Sequence, residues 1–440
     1  MPNVYIESLG CARNQVDSEI MATRLADAGW VVSDAPEDAE VIVVNTCSFI
    51  ERAADESVDT ILALADYKTT GRCRRLIVAG CLPERYRGET ATALPEVDLF
   101  LGTGAYDQVV EAVAGKKPHG TCLLPDPDGI DVRTPVGRKP LNRYWAYLKV
   151  AEGCSRHCTF CIIPALRGRQ KSRALDAIVE EARHLISGGV REITLVAQET
   201  TAYGADLPGA PGLSGLMQAL ARLDASVWIR FLYGHPQTVD AALLEAVARH
   251  PNLCPYFDIP IQHASDPVLR RMGRGYTADE MLRLFDTIRS KVPQAVLRTT
   301  VLVGFPGETG ADVDLLARFM ERVRFDHLGV FTYSDAEDLP SHGLADPVPS
   351  HVAQARLDRL MAQQRTLSEK VLAAYFGKRL TVLVEGEDEP GLYLARSMFQ
   401  APEVDGSVLI RSAVPLVAGT FEQVTVVETQ EYDMIAEPVR

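Results

Sequence analysis

What the chain lacks narrows its class. No apolar run in its 440 residues approaches the roughly 18 needed to cross a bilayer, so no membrane span is expected. The start runs into a strand-like Val4-Tyr5-Ile6 with no basic leader, and a cytoplasmic protein is therefore expected. The bias of a disordered chain or a coiled coil is also missing, since 47% hydrophobic and 24% charged residues are ordinary for soluble globular proteins. Positive charge is in short supply. With 45 Lys and Arg against 59 Asp and Glu, the net charge of −14 repels a nucleic acid backbone and favours a basic protein partner. The length predicts two to four domains.

Cysteine is present, and its placement is informative. Nine cysteines without a secretory signal point to metal or redox chemistry rather than disulfides. Three of them lie within eight residues, Cys154-Ser-Arg-His-Cys158-Thr-Phe-Cys161. Soft thiolates at this spacing wrap a loop around a metal centre. A fully ligated 4Fe-4S cluster takes four cysteines, so a triad leaves one iron open as a reaction site. The alternative is a structural zinc knuckle, with His157 as the fourth ligand. Tyr144 to Val150 reads as a strand, which puts the triad after a strand's carboxyl end, where α/β folds keep their chemistry.

Residues 1 to about 115 alternate strand-like and helix-like patterns, with strands at Val4–Leu9, Val41–Asn45, Leu76–Ala79 and Leu99–Leu101. Ile20, Met21, Arg24, Leu25 and Ala28 have helical spacing behind the cap candidates Asp17 and Ser18, and a second helix passes through Ser57, Ile61, Leu62 and Leu64. This order predicts a parallel sheet with helices on both faces. Cys11, Cys47 and Cys81 each follow the carboxyl end of a different strand by one to two residues. Parallel strands gather such ends along one edge, so the three converge into a second thiolate site. Cysteine is also a common buried residue, which is the competing explanation at any one position. Gly10 and Gly80 let the backbone approach a bulky group. Cys73, Cys122 and Cys254 lack this placement, and Gly102-Thr103-Gly104 reads as a plain turn.

Pro118 to Pro140 is rich in Pro, Gly and Asp, which predicts a linker over 118–139 between units at 1–117 and 140–372. Beyond it, strands at Ala146–Val150, Glu192–Ala197, Val227–Leu232, Phe257–Ile261, Leu297–Val303 and Leu328–Thr332 alternate with helices. Six βα units make a partial barrel open on one side, wide enough for a macromolecular substrate. Polar groups at strand ends face the mouth of such a barrel: Gln198, Glu199 and Thr200; Gln262 and His263; and Gly304 to Glu308. A helix over Val352–Ala373 precedes a last unit, 373–440, whose short strands at Leu380–Val384, Tyr393–Arg396, Val408–Ile410 and Gln423–Val427 predict a small β-barrel. From Tyr375 onward five basic residues face eleven acidic ones, a balance suited to a basic protein rather than RNA.

The chain resembles the radical S-adenosylmethionine enzymes, and among them the methylthiotransferases. The resemblance rests on the Cys154–Cys161 triad within Val150-Ala151-Glu152-Gly153-Cys154, on Ser8-Leu9-Gly10-Cys11, Asn14 and Val16-Asp17-Ser18-Glu19, on Asn45-Thr46-Cys47, and on Ile163-Pro164, Arg167-Gly168 and Trp228 to Tyr233. Ala12 stands where relatives commonly have proline. The resemblance implies an α/β protein with an N-terminal cluster domain, a central partial (β/α)6 radical barrel and a C-terminal TRAM domain. It implies two 4Fe-4S clusters, each with an open iron, and S-adenosylmethionine as methyl donor and as source of a 5'-deoxyadenosyl radical. Cys154, Cys158 and Cys161 would hold the radical-generating cluster. Cys11, Cys47 and Cys81 would hold the sulfur-carrying one; the strand-end positions of Gln198, Gln262 and Gly304 make them the candidates to bind the cofactor. Ser48-Phe49-Ile50 and the details above resemble the branch that modifies an aspartate β-carbon of the twelfth ribosomal protein of the small subunit, free or in the assembled particle, with transfer RNA adenosine as the alternative substrate. Such chemistry also implies an electron donor and a sulfur source. A non-catalytic iron-sulfur or zinc protein docking on the ribosome is the competing class.

Overall fold

The computed structural model describes residues 2–130, 132 and 137–439. Its N-terminal sheet has six strands, β1 (Asn3–Ser8), β2 (Val31–Val32), β3 (Val41–Thr46), β4 (Arg75–Gly80), β5 (Leu99–Leu101) and β6 (Thr121–Leu123), in the spatial order β2-β1-β3-β4-β5-β6. Every pairing is parallel. β3 is buried along its whole length, as expected of a parallel strand covered on both faces. β6 lies inside the stretch expected to be linker, so the sheet continues past residue 117. Two described residues of that stretch are anchored: Lys171 Nζ donates to the Pro127 carbonyl at 2.7 Å, and the buried Arg138 pairs with Glu19 and Glu181. Residue 131 and residues 133–136 of the expected linker lie outside the described residues.

Six further parallel strands follow in two sheets, β7 (Trp145–Lys149) with β10 (Glu192–Val196) and β11 (Trp228–Phe231), and β12 (Tyr256–Asp258) with β13 (Val296–Val303) and β14 (His327–Thr332). A parallel bridge between Ile229 and Leu253 joins them, so the six stand side by side in chain order as an open partial barrel. A short antiparallel pair, β8 (Ala151–Glu152) and β9 (Lys171–Ser172), follows β7. Side chains alternate as strand geometry requires. Ala146, Leu148, Ile229 and Phe231 face the outer helices, while Trp145, Tyr147 and Trp228 point inward.

The open side is not free. The helix Ala12–Asp27 lays Ala12, Val16 and Ile20, spaced four apart, against Trp145, Tyr147, Val196, Trp228 and Tyr256 inside the barrel. Its opposite face, Met21 and Leu25, packs on its own sheet. This helix starts at Ala12, not after the expected cap candidates. Asp17 and Ser18 are buried in its second turn, because tertiary ion pairs and packing satisfy them.

The chain ends in a closed antiparallel-rich barrel, β15 (Arg379–Glu389), β16 (Leu392–Ser397), β17 (Val408–Arg411), β18 (Phe421–Thr429) and β19 (Met434–Pro438), with β17 and β19 parallel. The segment after β16 closes the amino-terminal end of the six-stranded barrel. Arg396 pairs with Glu192, Arg230 donates to the Met398 carbonyl at 3.0 Å, and Asp405 accepts from Tyr256 at 2.5 Å. No described helix is long and apolar enough to cross a membrane.

Candidate active site

Strand order assembles the N-terminal triad. β1, β3 and β4 are immediate neighbours, so Cys11, Cys47 and Cys81, 36 and 34 positions apart in the chain, meet at one sheet edge. Cys11 caps the helix Ala12–Asp27, Cys47 follows β3 directly, and Cys81 opens the short helix Cys81–Tyr86. Cys11 lies three residues past β1 rather than two, because that strand ends at Ser8. The loops are stitched by polar side chains. Asn14 Nδ2 donates to the carbonyls of Leu9 (3.0 Å) and Thr46 (2.8 Å), Asn45 Nδ2 donates to Asn14 O (2.9 Å), and the Thr46 hydroxyl donates to Ala79 O (2.7 Å). Gly10 has a φ of +94°, and a Cβ there would sit 2.5 Å from Cys47 Cβ, so only glycine lets the first two loops close up. Burial, and then the neighbouring Cys81 and Cys11, push the Cys47 thiol up to about 12. Burial works against ionising Cys11 as well, but Arg13 and Arg167 outweigh it and lower that thiol.

The second triad sits on the loop after β8. Cys154 N donates to Gly168 O at 3.0 Å, and Cys161 N to Cys158 O at 3.2 Å, which curls the loop. Arg156 holds Glu199 with a two-pronged pair at 2.7 and 2.6 Å, and Arg274 Nη1 donates to Cys158 Sγ at 3.2 Å. Burial, with Cys158 and Cys154 adding to it, pushes the Cys161 thiol up to about 12. All nine cysteines are free. Among the described residues no three His, Cys, Asp or Glu side chains converge on a single-ion site. His157, the fourth ligand that a zinc knuckle would need, is exposed.

Between the triads lies a buried ionic network. Lys149 pairs with Asp17 and, at 2.8 Å, with Glu152; Arg167 pairs with Asp17 at 2.7 Å and with Glu152 at 3.2 Å. Burial alone would favour the neutral acid, but Lys149 and Arg167 hold Glu152 well below the carboxylate range. Gln198 Nε2 donates to Glu152 at 2.5 Å, and Gln198 Oε1 is buried without a partner, an acceptor left over for a bound group.

The other expected cofactor residues fare differently. Gln262 ends its strand region at φ +67°, as Tyr233 does at φ +62°, strained positions of the kind that collect at functional sites. Gly304 also has a positive φ, but its Cβ side is filled by Ala353 at 2.5 Å, so helix packing accounts for that glycine. His263 lies buried 3.6 Å from Glu308. Arg298 points inward to Asp258 (3.0 Å) and Asp405 (3.4 Å). Thr103 N donates to Glu84 at 3.1 Å, in the turn expected at Gly102-Thr103-Gly104. Asp17 is not a helix cap but pairs, buried, with Lys149 and Arg167 of the central unit, and the buried Glu19 pairs with Arg138 of the connecting stretch. Sequence reasoning missed Lys149, although a lone lysine in the otherwise apolar β7 is a signal for a buried partner. Arg13 stands only two residues after Cys11, a local signal that was also missed, whereas Arg274 carried none, since only the fold brings it to Cys158.

The sequence matches three family profiles: Uncharacterized protein family UPF0004 over residues 3–102, the Radical SAM superfamily over 148–320, and the TRAM domain over 376–439. It is 53% identical to ribosomal protein uS12 methylthiotransferase RimO of Desulfosudis oleivorans, covering 99% of both chains. The proteins of the same name from Anaeromyxobacter sp. and Geobacter sulfurreducens are 46% and 43% identical, over 99% of this chain and 93% and 98% of theirs. Among solved structures, the radical S-adenosylmethionine methyltransferase TsrM of Kitasatospora setae, with cobalamin and a 4Fe-4S cluster bound, aligns with a TM-score of 0.56 at 14% identity, over 95% of this chain and 84% of that one. The cobalamin-dependent radical enzyme OxsB aligns at 0.52 and 13% identity, over 84% and 56%. These two likenesses concern the fold. By its full-length identity to the curated relatives, the chain belongs to the RimO family of radical S-adenosylmethionine methylthiotransferases, transferases that use 4Fe-4S clusters and S-adenosylmethionine.

Proposed function

We propose that this chain places a methylthio group on the β-carbon of an aspartate in ribosomal protein uS12, with Cys154, Cys158 and Cys161 holding one 4Fe-4S cluster and Cys11, Cys47 and Cys81 the other. The observation that carries the reading is the pair of three-thiol sites, one at the carboxyl ends of three neighbouring parallel strands and one on the loop that follows β7 and β8, linked by one buried network. When bound, the two clusters and S-adenosylmethionine supply a carbon-centred radical and a transferable sulfur. The chain's own residues prepare the site. Asn14, Asn45 and Thr46 hold the N-terminal loops in register, and Arg274 donates to Cys158. Glu152 fixes Gln198 so that its free oxygen can accept a hydrogen bond from S-adenosylmethionine, with Gln262 after β12, two strands further along the barrel. The helix Ala12–Asp27 fills the barrel beneath, which excludes water from the radical chemistry. The same reading places the enzyme in the cytoplasm beside its ribosomal substrate, with an electron donor and a sulfur source as further partners. It divides the chain into a cluster unit through Leu123, a radical unit to Ala373 and a terminal barrel.

The test is anaerobic reconstitution followed by mass spectrometry of uS12 and unmodified transfer RNA offered together with reductant, sulfide and S-adenosylmethionine. A methylthio adduct on a uS12 aspartate is expected. An adduct on the RNA alone would overturn the substrate, and absence of 5'-deoxyadenosine would overturn the enzyme class. Changing either triad to alanine should halve the bound iron and abolish transfer; only loss of Cys154, Cys158 and Cys161 should also abolish 5'-deoxyadenosine.

A further inference from the structure

Arg167 ligates nothing in the reading above, yet its guanidinium reaches both halves of the site. Nη2 donates to Asn14 Oδ1 at 2.5 Å, to the Tyr106 hydroxyl at 3.5 Å and to Cys81 Sγ at 3.7 Å, all in the N-terminal unit. Nη1 donates to Asp17 at 2.7 Å and to both oxygens of Glu152 at 3.2 and 3.3 Å. Glu152 lies two residues before Cys154 and accepts from Gln198. The side chains of Arg167, Lys149, Asp17 and Glu152 are at most 6% exposed. Two cations and two anions balance there, and water cannot make up for the loss of one.

We propose that Arg167 is a positioning residue that raises the reduction potential of the cluster held by Cys11, Cys47 and Cys81 and ties that cluster to the S-adenosylmethionine pocket through Glu152 and Gln198. The proposal rests on the reading that this triad holds a cluster. A donor N–H on a ligand sulfur and a nearby positive charge both stabilise the electron-rich reduced state, and these are the levers through which proteins set cluster potentials. Without Arg167, Lys149 is left facing two carboxylates, and the net negative charge beside Cys81 opposes addition of an electron. Asp17 acts in the opposite sense from the same network.

The experiment uses the full chain with Cys154→Ala, Cys158→Ala and Cys161→Ala, so that only the N-terminal triad can take a cluster. Its midpoint is measured by redox titration with an electron-spin readout. Arg167→Gln is expected to move the midpoint to more negative values, Asp17→Asn to more positive ones, and Arg167→Lys to fall between Arg167→Gln and the parent. A side chain that merely glues the units together would leave the midpoints unmoved or shift both in the same direction, and either result overturns the proposal. If Arg167→Gln takes up no cluster, Asp17→Asn decides by itself: a positive shift supports the proposal, and no shift or a negative one overturns it. A parent protein that binds no iron and sulfide would overturn the site reading itself, an outcome distinct from a bound cluster that ignores Arg167.

Discussion

At the scale of single residues, the chain protects its chemistry by keeping charges paired or neutral. His235 is an example of the second device. It is 5% exposed, and burial, followed by repulsion from Arg274 and Arg156, lowers its pKa to about 2. In the unfolded chain the same imidazole takes a proton near pH 6.5. Below that pH the unfolded state therefore binds more protons than the folded one, and stability falls as the pH drops. Above it the group contributes no pH dependence. Thermal midpoints of the apo protein measured from about pH 7.5 down to about 5.5 should fall for the parent, and His235→Gln should flatten that slope, because the glutamine takes up no proton in either state. An unchanged slope would show that His235 is not the group held neutral.

At the scale of elements, two insertions hold the barrel. The helix Ala12–Asp27 fills it from the N-terminal unit, and β16 with the segment after it closes its lower end, through the buried trio of Arg396 on β16, Glu192 and Arg230. Burial disfavours the ionised acid, but Arg396 and Arg230 hold Glu192 below the ordinary carboxylate range. Removing one partner of a buried pair leaves a charge without water or counter-ion, at a cost of roughly 3–5 kcal/mol. Arg396→Met should therefore loosen the terminal barrel, seen as earlier thermal unfolding and faster proteolysis between Ala373 and Arg379. Both triads should keep their iron, since the trio lies at the opposite end of the strands.

At the scale of the whole molecule, the charge balance decides which partner approaches. The net charge is −14, and the tip of the β15–β16 hairpin exposes Glu387, Asp388 and Glu389. Exposed charges of this kind contribute up to about 1 kcal/mol each, act over about a Debye length, and fade with salt. Neutralising all three with Glu387→Gln, Asp388→Asn and Glu389→Gln should weaken binding of uS12 by roughly 3- to 10-fold at low salt. The effect should shrink at high salt, with the turnover of bound substrate unchanged. Tighter binding of transfer RNA than of uS12 by the parent would contradict the acidic-surface argument.

Most of the strands, and the gathering of three cysteines at one sheet edge, were legible in the local pattern. Apolar periodicity is a local property, and it located all six strands of the central barrel and four of the N-terminal sheet. It missed β2 and β6, which are two and three residues long and take their strand form from the neighbour they pair with. Parallel-sheet topology was enough to bring Cys11, Cys47 and Cys81 together, because strand ends share an edge whatever the side chains do. Only the tertiary structure decided what lies between the triads. Asp17 and Arg167 come from other segments of the chain than Lys149 and Glu152, and only packing brings the four together and removes the water around them. The same holds for Gly304, whose glycine answers to Ala353 some fifty residues away, and for Arg274 on Cys158. Local pattern records which groups a segment carries; burial, which sets the strength of their interactions, exists only once the chain has closed on itself.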